Sequence, residues 1–215
     1  GGESTIEGFL AADDCLNTLR AVGELGASFS REGDRIRIRG AGGRFREPGG
    51  MLDMGNSGTG IRLLSGLLAG HPFSSQLTGD ASLRSRPMKR IQSPLELMGA
   101  KVDLTGERGC APIRIRGGNL KGIEYPLPVA SAQVKSCVLL AGLFAEGLTT
   151  VVEPEETRDH TERLMRAMGL PIEVKGLRIS IEGSGGRALE IPPGQWTVPG
   201  DFSSAAFWIV AAACR

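Results

Sequence analysis

Three short strings in this chain gather the residue types that bind anions, and they recur at an even spacing. They are Gly55-Asn56-Ser57-Gly58-Thr59-Gly60, Ala130-Ser131-Ala132-Gln133 and Pro199-Gly200-Asp201-Phe202-Ser203-Ser204. Each precedes or opens an apolar stretch that reads as a helix. Small residues with hydroxyl or amide groups at a helix start satisfy its free N–H groups, and capping alone accounts for any one string. Three at equivalent places carry more meaning. If the helices pack around a common axis, their amino ends emerge on one face and form a positively polarised, anion-binding floor. The glycines of the first string fall as G-x-x-G-x-G, which is neither the dinucleotide fingerprint nor the phosphate-loop pattern.

A second cationic candidate follows a strand-like segment. Arg84, Arg86, Lys89 and Arg90 fall within seven residues, and Pro87 suits a first helical turn. Four such cations read either as a solvated helix face or as a site where Arg84 or Arg86 forms a bidentate clamp for carboxylate or phosphate. Pro94 is expected to kink the helix that follows. Thr157-Arg158-Asp159-His160-Thr161-Glu162-Arg163 opens another helix, with Thr157 or Asp159 as the cap and Glu162 completing a capping box. His160 reads as structural, His71 as a turn residue, and Glu153, Glu155 and Glu156 as a solvated turn. Two histidines in these contexts offer no Ser–His–Asp order.

The elements that must position these residues are repeated. Arg20–Phe29, Leu95–Leu104 and Leu164–Val174 each read as a helix end, a glycine and a short strand, with marker glycines Gly26, Gly99 and Gly169 spaced 73 and 70 apart. Alternating strands follow: Ile36-Arg-Ile38-Arg, Ile113-Arg-Ile115-Arg and Ile179-Ser-Ile181-Glu. Three apolar helices begin near Gly58, Ser131 and Ser203, and their all-round apolarity predicts burial. Strands are expected at Ser4–Glu7, Ser75–Thr78 and Leu148–Glu153. The unit reads buried helix, strand, surface helix, strand, strand. Against that unit the chain holds two whole repeats, one lacking its first helix and one that is only a head, as expected of a piece of a longer protein. A missing first helix would leave an apolar groove that favours aggregation or dimerisation.

Composition narrows the class. Hydrophobic residues make up 40% of the 215, enough for a core, and glycine numbers 32, about twice the usual ~7% share. A net charge of +1 gives no global bias toward nucleic acid or membrane, and no aromatic platform for bases interleaves with the cations. The longest apolar run, Ala205–Cys214, falls short of the ~20 residues that span a bilayer. Cys15, Cys110, Cys137 and Cys214 are scattered without metal-ligand spacing, so no metal is expected, and Cys137 and Cys214 read as apolar filler inside buried helices. Such cysteine usage points to a reducing cytoplasm.

The strings Asp53-Met-Gly-Asn-Ser-Gly-Thr-Gly-Ile-Arg62, Leu77-Thr-Gly-Asp-Ala-Ser-Leu83, Arg86-Pro-Met88, Pro128-Val-Ala-Ser-Ala-Gln-Val-Lys-Ser136, Thr157–Arg163 and Pro199–Ala206 resemble, in order and across almost the whole chain, the 5-enolpyruvylshikimate-3-phosphate synthase family. The resemblance implies an α/β fold, an inside-out prism of repeated βαβαββ units around buried parallel helices. It also implies a two-globule enzyme, with residues 1–199 forming most of the first globule and residues 200–215 opening the second. The family moves the enolpyruvyl group of phosphoenolpyruvate to the 5-hydroxyl of shikimate 3-phosphate, without a cofactor. Carried over by position, Ser131, Ala132, Gln133 and Arg158 would bind shikimate 3-phosphate. Gly58, Arg86 and Gln133 would bind phosphoenolpyruvate, with Asn56, Thr59 and Asp201 supporting. Gly58 stands where glyphosate-tolerant relatives often carry alanine, so no tolerance is expected from that position. The family's catalytic groups would lie on the missing first helix and second globule, so the chain is expected to be inactive alone. Its implied partners are the two substrates and the remainder of the enzyme, with no nucleic acid and no membrane.

The rivals are the UDP-N-acetylglucosamine enolpyruvyl transferase, a scaffold related to RNA 3′-phosphate cyclases and a non-catalytic phosphate-ligand module. The first normally has a cysteine in the loop reading Asp80-Ala-Ser-Leu-Arg-Ser-Arg86, which has none. A cyclase needs a catalytic histidine and nucleotide contacts that this chain does not display. A binding module would saturate with shikimate 3-phosphate alone.

Overall fold

The computed structural model describes residues 2–214, and the backbone alone for residues 202–204. The repeat is visible as three four-stranded sheets of the same strand order. In the second unit β4 (Leu52–Asp53), α2 (Gly58–Ala69), β5 (Ser74–Thr78), α3 (Lys89–Leu97), β6 (Lys101–Leu104) and β7 (Ile113–Arg116) give the order β4-β5-β7-β6. The third unit repeats it with β8 (Glu124–Pro126), α4 (Ala132–Gly142), β9 (Leu148–Val152), α5 (His160–Ala167), β10 (Ile172–Lys175) and β11 (Arg178–Glu182), paired as β8-β9-β11-β10. In the first unit β1 (Glu3–Glu7), α1 (Asp13–Glu24), β2 (Ser28–Glu32) and β3 (Arg35–Arg39) borrow their head strand from the far end of the chain. There β12 (Gln195–Thr197) lies parallel to β1, as β4 does to β5 and β8 to β9.

The marker glycines close the surface helices. Gly26, Gly99 and Gly169 sit two residues past α1, α3 and α5 with φ of +111°, +111° and +73°, the left-handed region that lets the chain turn into the next strand. The alternating Ile-x-Ile strands then point apolar side chains inward. Ile113, Ile115, Ile179, Ile181 and Ile36 are buried, whereas Ile38 is only half-buried.

Helices α2 and α4 are the axis of the molecule and run parallel. Gln133 at the start of α4 bonds Thr59 at the start of α2, Gly66 meets Cys137 midway, and Gly70 meets Phe144 at the carboxyl ends. The approach is close because the contact residue on α2 has no side chain. A Cβ on Gly66 would stand 2.2 Å from the Cys137 carbonyl oxygen. Burial pushes the Cys137 thiol up to about 12, so it stays protonated, an inert filler as expected.

The third apolar helix is a correction. α6 (Phe202–Ala213) forms, but Phe207 and Trp208 are each 80% exposed, and Cys214 is exposed rather than buried. The strand before it is seated in the first sheet, yet the slot that α2 and α4 fill in their own units holds no described helix. A groove of about 890 Å³ lies there, walled by Ile38, Leu63, Leu67, Leu140, Leu143 and Trp196. This matches the groove expected from the incomplete first repeat. No helix among the described residues is long and apolar enough to cross a membrane.

Candidate functional site

The amino ends of α2 and α4 are prepared and joined by their own residues. Ser57 caps α2, its Oγ accepting from the Gly60 N–H at 3.0 Å, and Ser131 caps α4, accepting from the Val134 N–H at 3.4 Å. Gln133 ties the two ends together. Its Nε2 donates to Thr59 Oγ1 at 2.8 Å, and its Oε1 accepts from Arg62 Nη1 at 2.8 Å. Arg62 also donates to the Gly58 carbonyl at 3.1 Å and the Pro87 carbonyl at 3.4 Å. A Cβ on Gly58 would lie 2.7 Å from Arg86 Nη1 and 3.1 Å from Arg62 Nη1, so the absent side chain makes room for two guanidinium groups.

The electrostatics point one way. Burial first, and then the like charges of Arg86 and Arg90, lower the pKa of Arg62. Among the described residues none of these three arginines has a carboxylate within ion-pair distance. Arg62 and Arg86 are half-buried. Guanidinium groups gathered in this way at two helix amino ends, without a protein anion among the described residues, can hold a ligand anion. The loop behind them is held by one side-chain and one main-chain acceptor. Asp53 Oδ1 accepts from the Gly55 N–H, and the Asp80 N–H donates to the Gly55 carbonyl, each at 2.8 Å.

The structure therefore brings together Gly58, Thr59, Gln133 and Arg86 and sets Ser131 and Ala132 on the same helix end. Asn56 is exposed on the turn before α2, and Asp201 lies on the β12–α6 connection, its carbonyl accepting from the Ala205 N–H. The Ser203 and Ser204 side chains of the third string lie outside the described residues. Arg158 is exposed just before α5. Its neighbour Thr157 links it to α4, the hydroxyl donating to Glu153, itself ion-paired at 3.0 Å with Lys135 of α4.

Several side chains differ from the sequence reading. Glu153 is not in a solvated turn but buried against Lys135. Glu162 forms no capping box; it is buried 2.5 Å from the same lysine, and Asp159 caps α5 without a side-chain bond. α3 begins at Lys89, so Pro87 precedes it and bridges to Cys110. His71 is no ordinary turn residue. It is buried among Phe45, Phe73 and Phe144, with Nδ1 donating to the Leu67 carbonyl and Nε2 accepting from the Phe45 N–H. Arg62 was missed as a site residue, although it is the one charged side chain in α2. No group of three or more His, Cys, Asp or Glu side chains among the described residues is placed to hold a metal ion.

Comparison with known proteins identifies the lineage of this arrangement. The family profile described as EPSP synthase (3-phosphoshikimate 1-carboxyvinyltransferase) matches residues 1–215. The chain belongs to the EPSP synthase family. It is 53% identical to the 3-phosphoshikimate 1-carboxyvinyltransferase of Akkermansia muciniphila, covering 100% of this chain and 50% of that protein. With the enzyme of the same name from a strain of Thermus thermophilus it is 54% identical over 98% of this chain and 49% of the relative. An EPSP synthase structure from Acinetobacter baumannii superposes with a TM-score of 0.90 at 50% identity, covering 99% of this chain and 47% of that one. The chain thus spans about half the length of the EPSP synthases it matches. Its mixed α/β repeats are those of the two-globule, inside-out EPSP synthase fold.

Proposed function

We propose that this chain is the anion-binding half of a 3-phosphoshikimate 1-carboxyvinyltransferase. The reading places residues 1–199 in one globule and residues 200–215 at the opening of the other, in the cytoplasm. The observation that carries it is the carboxylate-free cluster of Arg62, Arg86 and Arg90 at the joined amino ends of α2 and α4. Both substrates of such an enzyme are multiply anionic. Gly58, Arg86 and Gln133 take phosphoenolpyruvate, with Arg62 as a further guanidinium. Ser131, Ala132, Gln133 and Arg158 take shikimate 3-phosphate; Asn56 and Thr59 shape the loop, and Asp201 lies where the chain leaves for the second globule.

The reaction is an addition–elimination. The 5-hydroxyl oxygen bonds to the phosphate-bearing enol carbon of phosphoenolpyruvate as its proton leaves, and the methylene carbon takes up a proton. A methyl proton is then lost as the carbon–oxygen bond to phosphate breaks, releasing inorganic phosphate. This half holds the anions, and the remainder of the enzyme brings the proton-transfer groups and a helix for the groove. Mixed with the missing portion, the chain is expected to release phosphate from the two substrates, while either piece alone does not. Turnover by the 215-residue chain alone, from a host without its own synthase, would contradict the division of labour. Binding of neither substrate would contradict the site.

A further inference from the structure

Anion binding leaves one charged cluster unexplained. Lys135 is the fourth residue of α4, two beyond Gln133, and its side chain is 1% exposed. Its Nζ lies 3.0 Å from Glu153 Oε2 at the end of β9 and 2.5 Å from Glu162 Oε1 in α5. The second oxygen of Glu153 accepts from the Thr157 hydroxyl, and Ser136 of α4 shares a hydrogen bond of 2.6 Å with Thr161. Helix α4 and the segment 153–162 are thus stitched together by polar groups, although the surroundings are apolar core.

Such an arrangement is a poor way to gain stability. Three charges have been taken out of water, one cation faces two carboxylates, and Glu162 Oε2 has no hydrogen-bond partner. Apolar side chains of similar volume would pack there at lower cost. What they would not supply is direction, because only one placement of the segment after β9 satisfies the lysine and both carboxylates. That segment carries Arg158, which is exposed and has no hydrogen-bond or ion-pair partner among the described residues.

We propose that Lys135, Glu153 and Thr157 form a positioning chain that anchors the Arg158 segment to the first turns of α4, so that Arg158 and Gln133 address one anionic ligand. The proposal rests on the substrate assignment above, and none of the three residues touches substrate. Thr157→Val removes the hydroxyl and keeps the shape, and Thr157→Ser restores it.

Hydrogen exchange of the ligand-free chain tests the anchoring alone. The amide of Arg163, which bonds back to the Asp159 carbonyl at 3.0 Å, should exchange about tenfold faster in Thr157→Val, as expected for loss of a hydrogen bond to a charged group, while those of α4 are unchanged and Thr157→Ser behaves as wild type. Thr157→Ala gives the same comparison if valine crowds Glu153. Calorimetric titration with shikimate 3-phosphate tests the consequence. Affinity should fall about tenfold in Thr157→Val, and the substitution should add nothing once Arg158→Gln is present. Unchanged exchange overturns the proposal, and so does faster exchange with unaltered affinity. Faster exchange in a chain that binds no shikimate 3-phosphate at all keeps the anchor and overturns the substrate assignment instead.

Discussion

At the scale of single residues, the site depends on what Gly58 lacks. Its missing Cβ leaves space 2.7 Å from one guanidinium nitrogen and 3.1 Å from another. Both neighbours are ends of long, flexible side chains, so Gly58→Ala displaces charge more than it strains the backbone. Alanine also suits a first helical turn better than glycine, by up to about 1 kcal/mol. The expected outcome is an unchanged or slightly raised unfolding midpoint together with roughly tenfold weaker phosphoenolpyruvate binding, from partial loss of a charge-assisted hydrogen bond. Titration of the two proteins checks it, and equal affinity would remove Gly58 and Arg86 from the ligand. The starts of α2 and α4, at Gly58 and just after Ser131, were legible in the sequence because capping chemistry restricts residue types at a helix start. Arg62 and Lys135 were not, because periodicity describes faces and a single charge has no period. The signal available was that each is the only charged residue in an otherwise apolar helix. Glu153 and Glu162 stayed hidden for the same reason, since nothing local marks a carboxylate whose partner lies on another element.

At the scale of elements, the repeat was legible through its glycines and alternating isoleucines, which answer to backbone geometry within a few residues. The head strands were not. β4 has two residues and β8 and β12 three each, too short to alternate, and they are assigned only by parallel pairing with a later or much earlier strand. The α2–α4 contact is equally non-local. A methyl group at Gly66 would meet the Cys137 carbonyl at 2.2 Å, and this neighbour is main chain that cannot swing away. Gly66→Ala should therefore cost about 1–3 kcal/mol or more, as overpacking does, and loosen the joined helix ends with it. Denaturant unfolding measures the loss; a change under about 0.5 kcal/mol, the range of surface substitutions, would mean that the helices separate freely. His71 pins the loop ending at Phe45 to the end of α2. Burial, with a smaller contribution from Arg44, lowers its pKa below the ordinary 6.5, while its bond to the Leu67 carbonyl opposes the shift. The unfolded chain therefore takes up the proton first, so stability is full above pH 6.5 and declines as pH falls toward the folded value. Urea midpoints between about pH 7.5 and 5.5 should fall in the wild type and flatten in His71→Gln.

At the scale of the whole molecule, three equivalent sheets surround only two seated inner helices among the described residues. Ile38, unlike its counterparts Ile115 and Ile181, is left half-buried against the open slot. The same chain presents a bare apolar helix immediately after β12, the strand that in the other two units leads into the core. An exposed patch of this kind drives association rather than folding, because burying Phe207 and Trp208 against a neighbour removes apolar area that the fold itself leaves in water. Replacing both in Phe207→Ser/Trp208→Ser should then reduce self-association in sedimentation while leaving the unfolding free energy within about 0.5 kcal/mol, the range of surface substitutions. The opposite pattern, a marked loss of stability, would mean that α6 swings back into the groove in solution and serves as the third inner helix. The two outcomes separate cleanly, because a seated helix contributes to the cooperative core whereas a projecting one contributes only to contacts between molecules.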